Sequence, residues 1–409
     1  MRQKNWIRIL TAWLMLYAGC SRTPLPDVTS GMEEPEDRWM RVLLFGNLNE
    51  CTVYSYGSLV IEDQQTAASV RFEKPYQTLL VRWDGEGFQV GDHRFQNDIL
   101  IRTGSPFVFE VEQVPFRGHL RLVQNPEGNG FLAVNHVPLE SYLQGVVPAE
   151  MHSYWEPEAL KAQAIVCRTY SLYIKYRFGA GRLWDLKRTQ ANQVYNGVQA
   201  ETRPTNLAVF ETAGQVLVCP DSKGQWRLFP AYYSSICGGH TENSRNVFGD
   251  TVRTLEGVPC PFCRQTARAD FYFWSGVLVD RKTLTERLVQ RYPALSRLGE
   301  IEQIEPVRLS EYGRVTSVRL HGISGQTALL RGEDFRLTVD PSGRRLRSTI
   351  FTLRSTAAGF EFIDGRGFGH GVGLCQSGAQ ALARQGKTCR EITDYYYPGS
   401  RIVQLAENG

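Results

Sequence analysis

Long apolar runs are nearly absent from this 409-residue chain. The clearest one, ILTAWLMLYA from Ile9 to Ala18, is far shorter than the roughly 20 residues that a bilayer-crossing helix takes, which excludes it as a membrane span. An excess of one charge is also missing. The chain carries 46 Lys and Arg against 42 Asp and Glu, a formal net charge of +4. That suits contact with an anionic polymer but is too weak for a nucleic-acid footprint. There is no basic stripe interleaved with aromatics, no RNA- or DNA-binding signature and no phosphate-binding loop, so no nucleic acid is expected as a partner. The glycine-rich stretch GRGFGHGVG lacks the strand–loop–helix unit and later ribose-binding acid of a dinucleotide site. No long repeat is present. What remains is ordinary globular composition, 42% hydrophobic and 22% charged, with length for two or three domains.

The first residues have an export layout. Arg2, Lys4 and Arg8 precede the apolar run, which ends in small residues at Gly19 and Cys20. AGC followed by Ser21 resembles a bacterial lipobox, in which Cys20 is acylated after cleavage. Tyr17 stands where that box usually has Leu. The alternative is an ordinary secretory signal cut near Ala18. Residues 1–20 are thus read as a signal peptide, and the Pro-rich, acidic 21–38 as a tether. The expected location is the cell envelope, with the membrane held through an N-terminal lipid anchor.

Residues 39–133 are read as strands. RVLLF, CTVYSY, SLVIE, TLLVRW, FVFEV and HLRLV are short alternating or apolar runs punctuated by Gly, Asn, Asp and Pro. A helix is expected from Pro157, with acids in its first turn. Leu160, Ala164, Cys167, Ser171 and Ile174 recur on one buried face, and Gly179 closes it. Glu150 falls in the loop before this helix. Between Val194 and Gly239 strands are expected again, at AVFET, QVLVC and FPAYYSSI. Residues 271–359 read as an inserted or peripheral α/β subdomain, with a helix at LTERLVQRY and strands that include VTSVRLHG and FRLTV. Two helices, QSGAQALARQG and one ending in YYYPG, follow the glycine-rich loop. The fold class is α+β: a mixed helical and β-rich domain over 134–270 and 360–405, preceded by a β-rich region.

Chemistry concentrates in four places. In GVVPAEM a single carboxylate, Glu150, stands among apolar and small residues. Such neighbours disfavour its charged form, and a glutamic acid protonated near neutral pH can protonate a glycosidic oxygen. The plainer alternative is a glutamate that caps the next helix or pairs with Arg168. The glycine-rich loop surrounds His370 and leads into Gln376, Ser377 and Gly378, whose N–H groups open a helix; His370 could equally be a structural histidine. Nine cysteines are present. Cys237-Gly-Gly-His240 and Cys260-Pro-Phe-Cys263 have the spacing of a four-ligand zinc site. Disulfides among Cys219, Cys237, Cys260 and Cys263 are the other reading for an exported chain. Four protein ligands leave no open position, so such a zinc is structural. Cys375 and Cys389 have no evident partner. Lastly, Gln190, Asn192, Gln193, Tyr195, Tyr232, Tyr233 and the run Tyr395–Tyr397 are amides and rings of the kind that line sugar clefts.

Taken in order, VNHVPLESYLQGVVPAEM, EALKAQAIVCRTYSL, QVYNGV, AVFETAGQVL, YYSSICGGHTEN, GRGFGHGVGLCQSGAQALA and ITDYYYPGSRI resemble the SpoIID/LytB family, the sporulation stage II protein D class of peptidoglycan lytic transglycosylases. The likeness covers Val134 to Val403. It implies that Glu150, in the VP-x-E-M pattern, is the catalytic residue. That residue acts as general acid on the MurNAc–GlcNAc bond of denuded glycan strands. It then acts as base on the muramic C6 hydroxyl, giving a 1,6-anhydro product. One carboxylate then suffices where hydrolytic glycosidases use two. The resemblance also implies substrate contacts from Arg168, Tyr170, Gln193, Tyr195, Ser235, Gly238, Gly239, Thr241, His370 and Gln376, and a cell-wall amidase as companion. Cys167 and Cys375 stand where the family often has Ala and Ser. The reaction itself requires no cofactor. The alternative function is a non-catalytic glycan-binding protein that activates or positions an amidase. A metal-dependent amidase built on the Cys/His cluster ranks below both, because thiolate-rich zinc sites are closed.

Overall fold

The computed structural model describes residues 38–190 and 192–405. The signal segment, the Cys20 lipidation site and the tether up to residue 37 lie outside them. The protein is α+β.

Two antiparallel sheets form the first part. One has seven strands, ordered Leu186–Lys187, Trp39–Leu48, Phe131–Pro138, His119–Gln124, Asp98–Thr103, Leu59–Asp63 and Ser69–Phe72. Only its outermost pair, Val42 with Leu186 and Leu43 with Lys187, runs parallel. The other has six strands, ordered Val114–Arg117, Val108–Val111, Glu50–Ser55, Gln77–Trp83, Phe88–Val90 and His93–Phe95. Alternation puts Met40, Val42, Val53, Leu59, Ile61, Val81 and Ile101 inside.

Helix α1 (Leu139–Glu150) follows the Phe131–Pro138 strand directly. It departs from the expected loop: Glu150 is the last residue of a helix. Leu139, Tyr142, Leu143, Val146 and Val147 fall on one face and enter the core beneath the sheets. Pro148 removes the backbone bond to the Gln144 carbonyl, but only in the final turn, where the helix is about to stop. Gly145 lets the Tyr195 ring close on the helix, since a Cβ there would lie 2.6 Å from the ring.

Helix α2 (Pro157–Phe178) runs as expected and joins two cores. Ala164, Cys167 and Leu172 pack with α1, whereas Leu160, Ile165 and Val166 pack with Leu217, Ile236, Leu374 and Tyr396. A third core, from Trp274 to Phe362, belongs to the intervening segment alone. Two expected strands are helices. AVFET lies in α3 (Arg203–Glu211), where the Thr202 hydroxyl caps the Thr205 N–H. FRLTV lies in the Gly332–Val339 helix, braced by an ion pair between Glu333 and Arg336 one turn apart.

Candidate active site

Glu150 ends α1 half-buried, at the pole of the helix where backbone carbonyls concentrate negative charge. Burial raises its carboxyl above the usual range. Two groups oppose that rise: the Val194 N–H, which donates to Oε1 at 3.0 Å, and the Tyr233 hydroxyl. Neither is a cation. The buried Tyr233 hydroxyl has no partner at full hydrogen-bond geometry. Around Glu150 stand Tyr142, Cys167 and Tyr170, each pushed up by burial first and by the Glu150 charge as a further cause, the Cys167 thiol to about 12. The groups around Glu150 are thus uncharged phenols and a thiol, and burial opposes ionisation of its carboxyl.

Two elements hold this residue in place. Gln376, first residue of the Gln376–Arg384 helix, donates from Nε2 to the Glu150 carbonyl at 3.0 Å. It also reaches Gln163 on α2 at 3.4 Å. The Tyr233–Ser234 strand pairs in parallel with Leu374–Cys375, which ties the tyrosine facing Glu150 to the glycine-rich loop. His370 lies in that loop. Its Nδ1 accepts from the Val372 N–H at 3.0 Å, and burial pulls the ring down to about 4. The neutral ring packs edge-on to Tyr232 and Phe248, and Tyr232 in turn neighbours Tyr170. A chain of rings thus runs from beside Glu150 to His370. A hollow of about 360 Å³ lined by Trp155, Leu160, Leu207 and Glu211 lies between α2 and α3, away from Glu150.

Several residues expected to touch substrate are buried instead. Arg168 is fully enclosed and makes a two-pronged pair with Glu140, at 2.8 and 2.6 Å, plus bonds to the Val209 and Gln215 carbonyls. It does not pair with Glu150. Gln193 accepts from the Tyr142 and Ser171 hydroxyls, at 3.1 and 2.7 Å. Tyr195 donates to Asn135 at 3.0 Å. Thr241 exchanges bonds with Val258. Arg168, Gln193 and Tyr195 brace the elements that carry Glu150 and Thr241 braces its own turn, whereas Tyr170, Ser235 and His370 are half-buried. Gly238 and Gly239 both adopt positive φ, at 85° and 115°, in the turn after Cys237.

The four expected metal ligands do not converge. Cys237, Cys260 and Cys263 do, but their fourth neighbour is Cys375, with all four sulfurs within 4.8 Å of one another. His240 stacks on Tyr312 at 3.5 Å, and its Nδ1 lies 2.6 Å from the Thr241 carbonyl oxygen. Sequence spacing hid Cys375 because it lies more than a hundred residues from the other three. Its one signal was a thiol where the resemblance leads one to expect Ser.

A family model described as Stage II sporulation protein matches residues 127–219, the stretch from the last strand of the sandwich through α1, α2 and α3. Stage II sporulation protein D of Bacillus subtilis is 30% identical over 299 residues, which cover 66% of this chain and 76% of that protein. The chain belongs to the Stage II sporulation protein D family. An uncharacterized protein of Brachyspira hyodysenteriae is 32% identical over 295 residues, covering 72% of this member and 74% of the relative. The amidase enhancer of Bacillus subtilis is 28% identical over 303 residues, covering 64% and 40%. A second family model, a domain of unknown function (DUF8618), matches residues 264–373 and so spans the third core.

Proposed function

We propose that this family member acts on the cell wall as an exported lytic transglycosylase, with Glu150 as its one acid and base. The observation that carries this reading is the environment of Glu150: a half-buried carboxyl without a cationic partner, held at both backbone and side chain. In its acid form Glu150 gives its proton to the glycosidic oxygen between MurNAc C1 and GlcNAc. The C1–O bond breaks as electrons pass to the leaving oxygen. The carboxylate then takes the proton of the muramic C6 hydroxyl while that oxygen bonds C1. The acid is regenerated, and a 1,6-anhydro ring closes.

Glu150→Gln keeps the shape and the Val194 contact but cannot cycle a proton. It should lower release of soluble glycan fragments from denuded peptidoglycan by about 10²–10⁴-fold, the range for a general acid–base group. Unchanged release would remove Glu150 from the chemistry.

The amidase enhancer relative supports a second reading, in which the same surface holds glycan and positions an amidase. Stimulation of a cell-wall amidase that survives Glu150→Gln would favour it. Envelope location through Cys20 belongs to the same proposal. Among the described residues no helix is long and apolar enough to cross a membrane, and labelling of the full chain with a radioactive or clickable fatty acid, lost in Cys20→Ala, tests the anchor.

A further inference from the structure

Four cysteines from three separate segments meet in the second core. Cys237 precedes the glycine pair, Cys260 and Cys263 flank a tight turn, and Cys375 closes the glycine-rich loop. All four are fully buried. We infer that Cys237, Cys260, Cys263 and Cys375 form a closed tetrahedral zinc centre that binds these three segments together.

The spacing fits. A tetrahedron with Zn–S bonds of about 2.3 Å sets its sulfurs about 3.8 Å apart. The Cys237 and Cys263 sulfurs are 3.7 Å apart, and no pair among the four exceeds 4.8 Å. Four thiolates and no carboxylate make a soft donor set, which selects zinc over magnesium or calcium. Binding breaks four S–H bonds, forms four Zn–S bonds, releases four protons to solvent and moves no electrons. The centre then carries two negative charges, and its surroundings answer them. The Cys237 N–H points at the Cys375 sulfur at 3.3 Å, and the Tyr396 hydroxyl lies 3.1 Å from the Cys260 sulfur. These are donors of the kind that orient and tune metal-bound thiolates. Arg314, fully buried, reaches over from the third core and donates from Nη2 to the Cys237 carbonyl at 2.7 Å. Gly378 keeps the pocket open, since a Cβ there would sit 2.6 Å from the Cys260 sulfur and 1.9 Å from the Tyr396 oxygen. With all four positions taken by protein, the centre is structural. Its Cys375 corner adjoins Gln376, which holds the Glu150 carbonyl.

Metal content tests this without any substrate, so it stands or falls apart from the role of Glu150. Full-length protein purified under reducing conditions without chelator, then dialysed against zinc and desalted, should hold about one zinc per chain. The Tyr396→Phe variant, which removes only a hydroxyl, should bind zinc about 10–100-fold more weakly in chelator competition. Cys375→Ser should weaken it at least as much. His240→Ala should retain wild-type stoichiometry. Wild-type protein without zinc, with Cys237–Cys263 and Cys260–Cys375 disulfides found by peptide mass mapping, would overturn the assignment. Loss of zinc in His240→Ala, or wild-type affinity in Cys375→Ser, would do the same. If Cys375→Ser does not fold, the wild-type stoichiometry and the Tyr396→Phe affinity still decide.

Discussion

At the residue scale, burial opposes the ionisation of one carboxyl, that of Glu150. Glu150 sits at a helix C-terminus, beside phenols and a thiol rather than a guanidinium. Its proton is held more tightly in the folded protein than in the unfolded chain. The resulting stability is complete below the unfolded value and disappears as pH rises through the folded one. Glu150→Gln removes that loss. It should therefore unfold at a higher temperature than wild type above neutral pH, with the difference closing in mild acid. A glutamine variant less stable at every pH would mean that the carboxylate is the favoured form. The same sign governs rate: if Glu150 is the general acid, kcat/KM falls as pH rises past its folded pKa. A rate that climbs steadily through neutrality would place the needed proton elsewhere.

At the scale of elements, α1 and its anchor to α2 decide where Glu150 points. The Arg168–Glu140 pair fastens the first turn of α1 to the middle of α2, and Arg168 also ties down α3 and the Gln215–Pro220 strand through their carbonyls. Removing one partner of a buried pair costs about 3–5 kcal/mol. Arg168→Ala should lower stability to urea by that order, and Arg168→Lys should not restore it, since lysine lacks the two-pronged fork. Full stability combined with a raised KM would return Arg168 to the substrate. Much of this frame is legible in the sequence. The sandwich strands alternate, α2 begins with Pro157 and carries a clear apolar stripe, and VP-x-E-M contains the carboxyl that ends α1. Helix α1 is not legible by the same signals, because Gly145 and Pro148 both argue against a helix. Burial of Leu139, Tyr142, Leu143, Val146 and Val147 overrides them. AVFET and FRLTV misled for the opposite reason. Their β-branched and aromatic residues suggest strand, but the Thr202 cap lies outside AVFET and the Glu333–Arg336 pair reaches beyond FRLTV. Arg168, Gln193 and Tyr195 match family positions, yet a motif reports that a residue is required and not which side of the site it serves.

At the scale of the whole molecule, histidines that are buried or half-buried make the fold sensitive to acid. Burial pulls His119 to about 4, His136 to about 3 and His370 to about 4, against an ordinary value of 6.5. Each folded value is depressed, so the unfolded chain takes up these protons first. Stability is therefore full above about pH 6.5 and declines as pH falls toward 4. Thermal unfolding followed from pH 7.5 to 4.5 should show Tm dropping below pH 6.5, and a flat Tm over that range would contradict the burial of these rings. The central claim concerns what the assembled site makes, and the most direct measurement is the mass of the glycan ends released from denuded peptidoglycan. Wild-type protein should yield 1,6-anhydromuramyl ends, lighter by one water than hydrolysed ends, and Glu150→Gln should yield about 10²–10⁴-fold fewer. Reducing ends from wild type, or anhydro ends at wild-type level in Glu150→Gln, would contradict this reading.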